Sequence, residues 1–393
     1  MKTKPIPMLT CLAILMAADQ GIPASADSGS GFTLDASGTA SVYAELSYPE
    51  TTAGGIGNPS FEPWLESDLR LSAESPAALF RLRLGAYAEG DKSSGIDPRD
   101  YSDSLGLEVR EAEAALLPSS STAVRGGILL RNFGVGAYGS PVNPFARAIY
   151  QSGFWGLDAE WTPAPDLSTL AILSVDRIAR TGSISGLEGL DSGALVRYSP
   201  GALDMATGLY ASGAGSGELR PIGYVSIPLL SLLASLEAAL SVPLSSPDRE
   251  PWESVRCELK KDMDVGEASL GFGAAYRGIF PGRDETEIAS LVAETPPSDL
   301  EYLPFAPFYG RDYAELSIYL EKSNAYSLSA DASLALPWSS VYLEGKAEVY
   351  IGDIGLYVQI QGVAGDANGE FNDIALAEGL PGLELWSGVE ISF

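Results

Sequence analysis

Histidine is absent from all 393 residues. Without an imidazole, Ser-His-Asp and Cys-His activation of a nucleophile lack their usual general base. Zinc sites built on histidine are excluded for the same reason. Cysteine is almost as scarce: Cys11 lies in the N-terminal segment and Cys257 stands alone in the rest. No internal disulfide or thiolate cluster can therefore form once that segment is removed. Basic residues are few, 24 Lys+Arg against 52 Asp+Glu, for a formal net charge of −28. Nucleic acid, which is bound through Lys and Arg contacts to phosphate, is not an expected partner. Acidic pairs such as "EAE" (111–113) arise by chance at this composition, and "GLEGLDSG" (186–193) lacks the Lys-Ser/Thr ending of a phosphate loop. The expectation is a chain with no catalytic residues, cofactor or metal.

Long apolar runs are missing as well. The nearest approach in the body of the chain, "GYVSIPLLSLLASLEAALSVPL" (223–244), is interrupted by Pro228, Glu237 and Pro243. It cannot supply the ~20 apolar residues of a spanning helix. The N-terminus has Lys2 and Lys4, then "MLTCLAILMAA" (8–18), then "ASA" (24–26). That order of positive, apolar and small residues reads as a secretory signal over 1–26, with the mature chain at 27–393. Cys11 precedes most of the apolar run, so a lipid-attachment motif is not indicated. Cleavage removes Lys2, Lys4 and Asp19, which makes the mature chain one unit more negative.

What is present is period-two alternation, repeated from residue 32 to the end. In "LFRLRLGAYAE" (79–89), Phe80, Leu82, Leu84 and Ala86 share a face opposite Arg81 and Arg83. "YAELSIYLE" (313–321) and "VYLEGKAEVY" (341–350) repeat the pattern. Such segments are two-faced strands. About 18 can be marked, with 16 as the alternative count. The links between them sort by length. Every second one is tight, as in "PSSS", "PAPD", "DMDVG" and "SNA". The intervening links are mostly long, notably 90–102, 134–152, 280–311 and 365–382. Short turns on one rim and long loops on the other are the signature of an up-and-down transmembrane barrel, whose apolar faces meet lipid and whose polar faces meet a wet lumen. The Trp residues at 64, 155, 161, 252, 338 and 386 lie near expected strand ends, where an interfacial aromatic belt would sit.

The signal, the amphipathic strands and the ending "VEISF" (389–393) together resemble the bacterial outer-membrane β-barrel, or porin-like, superfamily. The resemblance implies an all-β antiparallel barrel with short periplasmic turns and long extracellular loops. It implies an outer-membrane location and a final strand, with Val389, Ile391 and Phe393, that is read by the barrel assembly machinery and closes against the first strand. Lipid cannot hydrogen-bond an open strand edge, so closure is required in any case. The function expected from it is passive diffusion of small hydrophilic solutes, with outer-membrane lipid as the surroundings. The alternative is a non-conducting barrel acting as an adhesin or structural protein.

Alternation puts Arg70, Arg81, Arg83, Arg110, Arg125 and Arg131 on the polar faces of the second to fifth strands. An Arg turned to lipid near the midplane would cost ~2–4 kcal/mol, so these should point inward. The link 134–152, which carries Arg147, occupies the position of the loop that general porins fold into the lumen. Asp158, Glu160, Glu315, Glu321, Glu344 and Glu348 are expected to face the lumen too. The excess of acid predicts a preference for cations unless the Arg wall dominates the narrowest point. The other reading of these groups is a salt-bridge network that holds the wall.

Overall fold

Two-faced strands can satisfy their backbone groups in lipid only as a closed sheet, and that is how they are arranged. The structure, a computed structural model, describes residues 33–49, 60–89, 105–129, 140, 142, 154–175, 190–213, 217–244, 250–294, 308–336, 340–365, 370–371 and 381–392. The first strands are β1 (Thr33–Pro49), β2 (Ser60–Glu74), β3 (Ala78–Glu89), β4 (Leu105–Ser119), β5 (Thr122–Leu129) and β6 (Phe154–Ala164). Then come β7 (Leu167–Ser174), β8 (Asp191–Tyr198), β9 (Asp204–Ser212), β10 (Glu218–Leu229), β11 (Leu232–Pro243) and β12 (Trp252–Val265). The series ends with β13 (Ala268–Phe280), β14 (Asp312–Lys322), β15 (Tyr326–Ala335), β16 (Ser340–Ile351), β17 (Ile354–Ala364) and β18 (Pro381–Ser392).

Each strand pairs antiparallel with its successor, and β1 also pairs with β18 through Val42↔Val389 and Ala40↔Ile391. The result is an 18-stranded closed barrel, which decides between the two strand counts. Val389 and Ile391 do lie on the closing strand; Phe393 lies outside the described residues.

The two faces are inverted relative to a soluble protein. Leu316 (61% exposed), Val389 (39%) and Ile391 (47%) point outward, while Asp68, Glu113, Asp158, Glu237 and Arg277 are buried inside. An apolar surface wrapped around the whole molecule is far larger than a monomer in water keeps exposed. It is stable against hydrocarbon instead.

The tight links sit at 75–77, 120–121, 165–166, 199–203, 230–231, 266–267, 323–325 and 352–353. In three of the two-residue links the first residue is left-handed: Gly266 (φ 67°), Gly352 (φ 63°) and Leu230 (φ 60°). On the other rim, the link after β13 contains a helix, α1 (Glu285–Glu294). Its start is fixed by a reciprocal cap. The Glu287 amide donates to Asp284 Oδ1 at 2.9 Å, and the Asp284 amide donates to Glu287 Oε2 at 3.0 Å.

Parts of the long links turn inward. Val142, Ile288, Phe308 and Tyr309 are buried in one apolar cluster with the wall residues Leu129, Ile172, Tyr210 and Ile279. The expected Trp belt holds only in part. Trp155 (47% exposed) and Trp161 (52%) face outward. Trp252 packs against the interior cluster, and Trp386 stacks on Tyr43 with ring centroids 5.2 Å apart. These two occupy even positions whose neighbours of the same parity are polar. Facing direction, more than closeness to a strand end, sets their surroundings. The Trp64 side chain and Trp338 lie outside the described residues.

Candidate functional site

The charged interior is organised as clusters in which carboxylates clasp arginines. The first is on β2–β4. Asp68, 6% exposed, accepts from Arg83 Nε at 2.5 Å, from Arg110 Nη1 at 3.2 Å and from Arg70 Nε at 3.3 Å. Arg110 also donates to Glu66. A β-bulge makes this possible. Arg83 pairs with Glu111 and Leu84 with Val109, so Arg110 is the extra residue between them. A bulge re-aims side chains, and here Arg110 and Glu111 both stay on the inner side of the wall.

The second cluster joins β4, β5 and β6. Arg125 donates from Nη1 to Asp158 at 2.8 Å and from Nη2 to Glu160 at 2.7 Å, and its Nε lies 3.7 Å from Glu113 Oε1. The third spans β11–β14. Arg256 reaches Glu258 and Glu315, each at 2.8 Å, and Glu237 at 3.5 Å. Arg277, 1% exposed, donates from Nε to the other oxygen of Glu315 at 2.8 Å and lies 3.9 Å over the Phe308 ring. Smaller pairs are Arg197 with Asp204 at 2.7 Å and Arg220 with Glu218 at 2.6 Å.

The link after β5 reaches the third cluster. Ser140 Oγ donates to Glu237 Oε2 at 2.5 Å, across 97 residues of sequence and from the link after β5 to β11. A second clasp sits at the extracellular rim. Glu370, 1% exposed, accepts from the amides of Tyr309 (2.7 Å) and Gly310 (3.1 Å) and from the Tyr313 hydroxyl (2.6 Å). Burial pushes its carboxyl up to about 7, against the opposing pull of those donors and of Arg283. Tyr313 also packs edge-on against Phe308, with centroids 4.9 Å apart.

Several residues singled out from sequence are thus brought together: Arg70, Arg83 and Arg110 around Asp68, Arg125 with Asp158 and Glu160, and Glu315 between two arginines. Others stand apart. Arg81 is exposed and makes no ion pair among the described residues. Glu344 accepts from Gln359 (3.2 Å) and Tyr342 (3.3 Å), and Glu348 pairs with Lys346 at 2.9 Å. Glu321 is exposed near the end of β14. Arg131 and Arg147 lie outside the described residues. Sequence reasoning passed over Arg197, Arg220, Arg256, Arg277 and Glu237. Strand parity could have found them, since each lies on the polar face of its strand.

No protein-family pattern and no curated protein sequence matches the chain. Solved structures do match. Pseudomonas aeruginosa OccK5 (OpdH) superposes with a TM-score of 0.56 at 11% identity, over 91% of this chain and 98% of its own. Acinetobacter baumannii OccAB3 gives 0.55 at 10% identity, over 92% and 99%. Salmonella typhi OmpF, solved as a complex with daunomycin, gives 0.51 at 9% identity, over 94% and 100%. At these identities the likeness is one of architecture, and the architecture is that of the outer-membrane β-barrels of porin type.

Proposed function

We propose that the chain is an outer-membrane channel for passive diffusion of small hydrophilic solutes, with a preference for cations and no enzymatic activity. The observation that carries this reading is the charged inner wall of an 18-stranded barrel, a strand number whose interior leaves room for an aqueous path. The architecture shared with OccK5 and OmpF supports the same reading. The cation preference rests on how the charges are matched. On β2–β5, Arg70, Arg83, Arg110 and Arg125 are each held by carboxylates. Glu315 is likewise answered by Arg256 and Arg277, but the other inward acids from β14 to β18 are Glu321, Asp331, Glu344, Glu348, Glu384 and Glu390, against Lys346 among the described residues. A solute passing that side meets unbalanced negative charge, which raises the local concentration of cations.

The candidate pore-lining set is Arg70, Arg81, Arg83, Arg110, Arg125, Arg131, Arg147, Asp158, Glu160, Glu315, Glu321, Glu344 and Glu348. Residues 1–26 act as a cleaved export signal in this reading. The last strand, ending in Phe393, is the element that the assembly machinery recognises. Folded, purified protein should give single-channel steps in planar bilayers, and its reversal potential in a salt gradient should have the sign of cation preference. Protein that migrates as a folded barrel yet gives no steps would overturn the channel reading in favour of an adhesin or structural barrel. A reversal potential of the opposite sign would overturn the selectivity alone.

A further inference from the structure

The lipid-facing surface is apolar almost throughout. Among the described strand residues, charged side chains at outward positions are Glu253 and Asp312 near the extracellular ends, Lys322 at the end of β14, and Lys261. Lys322 is paired with Glu267 across the turns. Lys261 makes no ion pair among the described residues and lies four residues inside the end of β12, between Leu259 and Met263. Its neighbour Lys260 pairs with Leu233, so Lys261 stands level with the tight 230–231 turn, on the periplasmic margin.

Beside it the outer surface is dented. A groove of about 1010 Å³ runs across β13–β17, with Lys261 and Leu259 at one edge. Its origin is a run of small residues at outward positions. One paired row reads Ala274, Leu316, Ala332, Leu343, Gly362, and in the row below it Ala330 pairs with Gly345. Where a Leu alternates with Ala or Gly, the wall is low. The groove is several times the ~150 Å³ that holds a benzene molecule, and it opens onto hydrocarbon. Left unfilled it would cost the lining its dispersion contacts.

We infer that this groove is a binding site for the acyl chains of an anionic phospholipid of the periplasmic leaflet, with its phosphate on Lys261. Charge complementarity selects that occupant. The chain as a whole is strongly acidic and repels anionic headgroups, so an unpaired outward cation beside an apolar groove is the local exception. The inference rests on the barrel lying in a bilayer, and heat-modifiable migration in detergent gels checks that separately from lipid retention.

The experiment is native mass spectrometry of the detergent-folded protein given equal amounts of phosphatidylglycerol and phosphatidylcholine. The expected result is one retained lipid with phosphatidylglycerol favoured. Lys261→Gln should cut that preference by about fivefold, the share of one lysine near an anionic surface. Gly345→Leu, which fills the groove while keeping Lys261, should reduce retention of both lipids. Equal retention of the two lipids by the unaltered protein would overturn the site. So would an unaltered preference in Lys261→Gln, or a dimer that excludes lipid from the groove.

Discussion

Raising the pH from about 5 to about 8 should loosen the clasp between Glu370 and residues 309–313, while Glu370→Gln should hold it closed throughout. The sign follows from which influence on the carboxyl is larger. Two amides, a phenol and the Arg283 guanidinium favour the charged form, but burial outweighs them and lifts the group to about 7. In a released loop the carboxyl returns to the ordinary range, about 4.3. An acid whose pKa is raised in the packed state stabilises that state fully below the released value. It loses that contribution as pH rises through the packed one. The gap corresponds to at most about 4 kcal/mol, or on the order of several hundredfold in the opening equilibrium. Glutamine keeps a carbonyl to accept from the Tyr309 and Gly310 amides and has no charge to desolvate, so its clasp should not respond to pH. Alanine removes the carboxylate that accepts from the Tyr309 amide, at about 1–3 kcal/mol, while the Gly310 amide keeps the Tyr313 hydroxyl as an acceptor.

The assay is hydrogen exchange at the Tyr309 and Gly310 amides in the folded protein. Taking the rate of the unaltered protein over that of the glutamine variant at each pH cancels the base-catalysed rise common to both. The ratio should stay near one at low pH and climb through neutrality. A flat ratio, or one that climbs toward acid, would refute the reasoning, because it would mean that the donors outweigh burial and the carboxylate is the clasping form.

Asp68→Ala removes the anion shared by Arg70, Arg83 and Arg110, and a buried pair broken on one side costs about 3–5 kcal/mol. The urea midpoint of the folded band should fall and the reversal potential should move toward anions; an unchanged midpoint would mean that the three arginines are held by water and not by this carboxylate. Gly352→Ala should destabilise by about 1–2 kcal/mol through its left-handed backbone alone, since an added Cβ meets nothing within 4 Å. Gly223→Ala, equally open but inside β10, should be neutral or stabilising by about 0.5–1 kcal/mol. The same urea titration compares the two, and equal shifts would contradict the backbone argument.

Eighteen strands and the two unlike rims were legible because lipid and lumen impose opposite demands on successive residues, and period two survives in a single sequence. Inward placement of Arg83, Arg110 and Arg125 followed from the same parity. Partnership did not. Arg256 contacts Glu315 across 59 residues and Ser140 contacts Glu237 across 97, and no local pattern encodes which strands stand opposite a folded-in link. The bulge was hidden for another reason. One extra residue shifts parity, so alternation alone would send Glu111 outward, whereas the register past Arg83 keeps it inside with Arg110. Trp252 and Trp386 were misplaced because closeness to a strand end was allowed to outweigh parity.

In the proposed channel, the cluster around Asp68 joins stability to transport. Arg110 can lie along the wall only because β4 carries the extra residue and β3 has a glycine beneath it; a Cβ at Gly85 would stand 2.5 Å from Arg110 Nε. Two departures from regular strand sequence therefore serve one ion cluster. Its effect on a passing solute is subtractive. Each arginine tied to a carboxylate contributes a dipole in place of a bare positive charge, and a dipole's field fades faster with distance than a charge's. In the proposed channel, what reaches the lumen at longer range is then the carboxylates of β14–β18 other than Glu315, with Lys346 as the base among them in the described residues. Selectivity in such a barrel is set less by the number of arginines than by how completely they are paired, so freeing one arginine should shift it more than adding a distant lysine.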